Sequence, residues 1–144
     1  MARPRRQPPR PIQLREKKLA EGEELVVYHL VPTEDREASS YLASFRSRAE
    51  LGLPPRKYTQ EAVTPRVNEG ISAFTTSEAA AETWQLAIAR GRDLGRFVAT
   101  MRLSSGKGIA YAPWGPRGHL TVFGEAVTLS QTVTDIVVAE RILQ

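Results

Sequence analysis

Apolar positions change their spacing several times along the chain, and each change marks an element. Glu24 to Val31 (ELVVYHLV) is β-branched and apolar between Gly22 and Pro32, which predicts a mostly buried strand. Helix signals follow at once. Pro32 and Thr33 suit an N-terminus, and Glu34, Asp35 and Glu37 suit a first turn beside the positive end of the dipole. Ala38, Tyr41, Leu42, Phe45 and Ala49 then recur on one helical face, and Gly52 with Pro54-Pro55 ends the run.

Residues 54–69 carry no period and contain Pro65, so they are expected to form a surface loop of a length often tied to function. Ile71 to Thr75 (ISAFT) predicts a short strand after Gly70. Thr75 and Glu78 have capping-box spacing, so a helix is expected from Thr76 or Ser77 to Gly91. Leu94 to Leu103 alternates, with Phe97, Ala99, Met101 and Leu103 on one face, and predicts a half-buried strand. Ser104 to Gly108 (SSGKG) reads as a hairpin turn, Ile109 to Ala112 as a strand, and residues 114–118 as a loop. His119 to Gly124 and Thr132 to Ile142 read as the last two strands. Strands following two helices predict an α+β domain with a mixed or antiparallel sheet.

Charge divides this chain of 144 residues unevenly. Residues 1–20 hold Arg3, Arg5, Arg6, Arg10, Arg15, Lys17 and Lys18 against Glu16 alone, a net +6. Residues 21–144 hold 13 basic and 15 acidic residues, a net −2. The overall +4 therefore belongs to one short segment. That segment also has four of the ten prolines, which remove donors and disfavour helix. It buries too little apolar surface to offset ordering entropy. Residues 1–14 are thus expected to be a disordered arm and 15–24 nascent helix or linker. The domain division is 1–20 arm or linker and 21–144 a single domain. A cationic arm attracts polyanions by counterion release, or acts only to solubilise. Without an aromatic residue it cannot stack on bases.

No stretch approaches the ~20 apolar residues of a membrane span. No apolar run follows the basic N-terminus, so neither a secretory leader nor membrane association is expected. The chain has no cysteine, which excludes disulfides and thiolate chemistry and fits a cytoplasmic setting.

The two histidines, His29 and His119, lie inside apolar strand patterns without metal-ligand spacing, so no metal site is expected. SSGKG pairs glycine with lysine but lacks phosphate-loop spacing. There is no GxSxG elbow. Tyr111 to Phe123 is the densest stretch. Trp114, Arg117 and His119 could hold a planar ligand by stacking and cation–π contact, or Trp114 and Phe123 could simply fill the core.

The run ISAFTTSEAAAETW followed by LGRFVATMRL, together with Val27-Tyr28-His29 and HLTVFGEAV, resembles small ADP-ribosyltransferase-fold proteins such as the rifamycin-modifying enzymes. GISAF and GHLTVFG are also similar to uncharacterised small bacterial proteins. The first resemblance implies NAD as cofactor. It carries a cofactor-contacting histidine onto His29, a second-strand aromatic onto Phe74, which lacks a hydroxyl, and an acidic residue onto Glu125.

Three readings follow. The first is a binding module whose arm engages nucleic acid or another polyanion. The second is an ADP-ribosyltransferase-like enzyme using NAD. The third is a protein-interaction domain using residues 54–69 as contact surface.

Overall fold

A computed structural model describes residues 15–54, 65–113 and 118–144. The expected arm at 1–14 and most of the expected loop at 54–69 lie outside these residues. Seven strands form one sheet: β1 (Lys17–Lys18), β2 (Glu24–Val31), β3 (Ile71–Phe74), β4 (Phe97–Ser104), β5 (Ala110–Pro113), β6 (His119–Phe123) and β7 (Val133–Val138). Their spatial order is β1-β5-β6-β3-β2-β4-β7, and every pairing is antiparallel. Four short α-helices accompany them: α1 (Ser39–Ala43), α2 (Ser77–Ala89), α3 (Ala126–Gln131) and α4 (Ala139–Ile142). A 3-10 helix spans Pro65–Glu69. The α+β class and the antiparallel sheet are therefore as expected. No helix among the described residues is long and apolar enough to cross a membrane.

Alternation along the strands gives the sheet two faces, and each has its own cover. On the first face Val27, Val31, Ala73, Met101, Leu103 and Val122 are buried under Tyr41, Phe45 and Leu129. On the second, Leu30, Phe74 and Val98 meet the small side of α2 at Ala79, Ala80 and Ala81, with Trp84 alongside. Alanines let a helix sit close to a sheet, which suits the imperfect apolar period of α2.

Several expectations are corrected. The helix expected from Thr33 to Ala49 shrinks to five residues. Side chains outcompete it at both ends. Thr33 Oγ1 accepts from the Asp35 amide and Asp35 Oδ1 from the Glu37 amide, which makes turns of the would-be first turn. Ser47 and Glu50 bond each other's backbone amides reciprocally, starting a separate turn. The cap of α2 is Thr76, whose hydroxyl accepts from the Ala79 amide, rather than Thr75. The strand expected over Thr132–Ile142 ends at Val138 and turns into α4, and α3 precedes it, so four helices stand among the described residues where two were expected. The SSGKG segment is a turn but not a hairpin, because β4 pairs with β2 and β7 while β5 pairs with β1 and β6.

That turn has a geometric consequence. In a flat sheet β4 and β5, four places apart, would be separated by about 19 Å. The six-residue step from Ser104 to Ala110 reaches that only when almost fully extended. It contains two left-handed glycines, Gly106 (φ 81) and Gly108 (φ 69), and is not extended. The sheet is therefore not flat. It also has a seam. β2 pairs with β4 over eight residues but with β3 only at Tyr28↔Phe74.

Gly95 marks a close crossing of chains. It is buried at φ 113, and a Cβ there would lie 2.7 Å from the Val31 carbonyl carbon. Neither the strain nor the backbone clash can be relieved by a side-chain rotation. Gly95→Ala is expected to lower the unfolding free energy by about 2 kcal/mol or more, measured by urea denaturation. A loss below about 0.5 kcal/mol would contradict this crossing.

Candidate polyanion-binding site

Lys17 and Lys18 are too polar to be read as a strand. They become one because β5 offers an unpaired edge: Lys17 aligns with Tyr111 and Lys18 with Ala110. The end of the basic run, expected to be helix or linker, is thus held on the sheet. Both lysines are exposed.

A second contact fixes the same segment. Arg66, in the 3-10 helix, donates from Nε to Glu16 and from Nη1 to Glu69. Its guanidinium carbon lies 4.3 Å from the centre of the Phe123 ring. The bond from Arg66 holds the Glu16 carboxyl below its usual range, and the two carboxylates raise Arg66. These groups are largely exposed, so the ion pairs themselves add little stability. What they supply is position. Sequence reasoning missed this triad, since Glu16 and Arg66 are 50 residues apart and nothing in either neighbourhood signals the other.

Where β1 leaves the sheet edge it faces the turn at 105–108. Between them lies a pocket of about 400 Å³, lined by Lys18, Leu19, Ser105, Gly106, Gly108 and Ile109 among others. Residues 105–106 form a tight turn, and Gly106 and Gly108 leave the backbone there open to solvent. Lys17, Lys18 and Lys107 form no ion pair within 4.0 Å among the described residues. Of the nearby carboxylates, Glu16 bonds Arg66 and also feels the charge of Lys18, Glu23 accepts from the Ala20 amide, and Glu24 pairs with Arg102. Lys17, Lys18 and Lys107 nevertheless stand exposed along this edge.

No family model matches the chain, and no curated protein or solved structure matches it significantly. The site is therefore argued from its own chemistry.

The other nominated residues do not converge. His29 points to the first face, its ring centre 5.1 Å from that of Phe45. Its Nδ1 lies 2.8 Å from Ser72 O and its Nε2 2.8 Å from Ser44 O, so both nitrogens face backbone carbonyls. Phe74 pairs with Tyr28, the neighbour of His29, and so lies on the opposite face. Its ring centre is 5.3 Å from that of His119, the first residue of β6. Glu125 is the exposed N-cap residue of α3. His29 and Phe74 thus lie on opposite faces of the sheet, while Phe74 and His119 lie together. Trp114 and Arg117 lie outside the described residues, as do Arg3, Arg5, Arg6 and Arg10; Arg15 is exposed.

Proposed function

We propose that the protein binds a nucleic acid or a similar polyanion through its N-terminal cations. The observation that carries this reading is the pairing of Lys17–Lys18 with β5, which ties the end of a +6 segment to the folded domain beside an exposed glycine-rich turn. A tethered cationic segment loses less freedom on binding than a free one, and it adds phosphate contacts whose released counterions drive association. Contacts of this kind position a strand without reading its sequence. The reading therefore expects broad affinity for nucleic acids and weak base preference.

The test uses the whole chain. Affinity for a short DNA duplex is measured at several salt concentrations for the parent and for a variant with Arg3, Arg5, Arg6 and Arg10 changed to Gln. About six phosphate contacts give the parent a log–log salt slope near −5, and removing four brings it to about −2. Equal slopes, or no binding by the parent at low salt, would overturn the reading. Retained far-UV circular dichroism shows that the variant keeps its fold.

A further inference from the structure

The pocket between β1 and the 105–108 turn has a composition that a purely electrostatic edge does not need. Its lining includes the ammonium group of Lys18, the half-buried hydroxyl of Ser105 and the backbone of Gly106 and Gly108. It also includes the half-buried Leu19 and the part of Ile109 that the first-face core leaves uncovered. Its volume of about 400 Å³ falls within the ordinary range of small-molecule sites. A cavity lined by both charged and apolar groups suits a ligand that carries both.

The backbone of the turn is suited to an anion. Gly106 and Gly108 both adopt left-handed conformations, the kind from which anion-binding backbone nests are built. A Cβ on either would meet nothing within 4 Å, so the bare backbone faces open space. Lys107 stands between them and is exposed. Lys18 comes from the other wall, held by its pairing with Ala110.

We infer that this pocket seats one nucleotide unit of a bound nucleic-acid strand, its phosphate between Lys18, Ser105 and the turn backbone, and its sugar and base against Leu19 and Ile109. The inference rests on the proposed polyanion reading and gives it a fixed contact point. A surface that only attracts charge would let a strand slide over it, whereas a seat holds one nucleotide in register with the arm. Because Leu19 and Ile109 present apolar side chains and no donor pattern, the seat accepts any base. Single-stranded nucleic acid fits better than duplex, since a base must leave the stack to lie on these apolar groups.

The test is an amide-resolved NMR titration of the full chain with a short oligothymidylate, with thymidine monophosphate and inorganic phosphate in separate arms. The oligonucleotide is expected to shift the amides of residues 105–109 and of Lys18 and Leu19. Lys18→Gln, with its backbone pairing intact, is expected to weaken oligonucleotide binding about tenfold and to reduce the salt slope by about one. Ser105→Ala is expected to weaken binding while leaving the slope unchanged, which a role in general charge attraction would not do. If the oligonucleotide binds with the arm-dependent slope but neither variant changes affinity, the seat is overturned and the polyanion reading stands. If the oligonucleotide does not bind, both fall. Equal shifts with inorganic phosphate would make the site a simple anion site, and equal shifts with the mononucleotide would make free nucleotides its ligand. Either result overturns the strand-bound assignment.

Discussion

Phe45→Ala is expected to lower the unfolding free energy by about 4 kcal/mol, the upper part of the range for deleting a fully buried aromatic side chain. Phe45 is wholly inaccessible to solvent. It follows a helix of only five residues, so little local structure holds it in place. Its position comes instead from ring contacts, with centres 5.1 Å from both His29 and Tyr41, and from the first-face cluster around them. Removing the ring therefore leaves a void and unseats the cover of one sheet face. Urea denaturation at constant slope measures the loss. Tyr41→Phe supplies the contrast. The Tyr41 hydroxyl is buried without a hydrogen-bond partner among the described residues, and burial raises its pKa. Removing that hydroxyl breaks no bond, so a change within about 0.5 kcal/mol, or a gain, is expected. A Phe45→Ala loss below about 1 kcal/mol would mean that this cluster does not hold the domain together.

The second large effect concerns His29. His29→Ala is expected to cost about 3 kcal/mol, because it leaves whichever of the Ser44 and Ser72 carbonyls accepts the ring N–H without its donor and opens space beside Phe45. The dependence on pH tests the mechanism. Burial is the largest influence on the imidazole and lowers its pKa from the usual 6.5, against the two carbonyl contacts, which act to raise it. The ring is thus neutral at pH 7 and donates through one nitrogen at a time. The unfolded chain accepts a proton more readily than the folded one. The stability His29 contributes is therefore complete above about pH 6.5 and declines below it, by at most about 1.4 kcal/mol per pH unit, until the folded pKa is passed. The gap between the parent and His29→Ala should narrow as pH falls from 7 to 5. A gap that widens would show instead a buried imidazolium bonded to both carbonyls.

Where one periodicity dominated locally, sequence and structure agree. The strand Glu24–Val31 needs only its apolar run and flanking Gly22 and Pro32, and its limits match. The strands at Ile71 and His119 were legible for the same reason, and α2 from its capping-box spacing and the terminating Gly91. Competing local bonds broke the apparent helix over 33–49, where the apolar face was genuine but Thr33, Asp35, Ser47 and Glu50 diverted the backbone. Long-range pairing decided what was not legible. Lys17–Lys18 are strand only because β5 lies beside them, and SSGKG joins strands on different parts of the sheet because of the overall order. For the site, charge asymmetry was visible in the sequence. The wall opposite Lys18 was not, since it forms only when a segment about 90 residues away closes over it.

The strand order has a consequence during synthesis on the ribosome. β2 can pair with β4 once residue 104 has emerged, but β4 then presents an open edge until β7, ending at residue 138, covers it. β3 waits similarly for β6, fifty residues after its first member. For most of its translation the chain carries apolar strands with unpaired amides and carbonyls, the template on which neighbouring nascent chains associate. β7 is the element that ends this exposure for β4. Loss of the final strand should thus appear first as poor yield in the cell, before it appears as low stability in the purified protein.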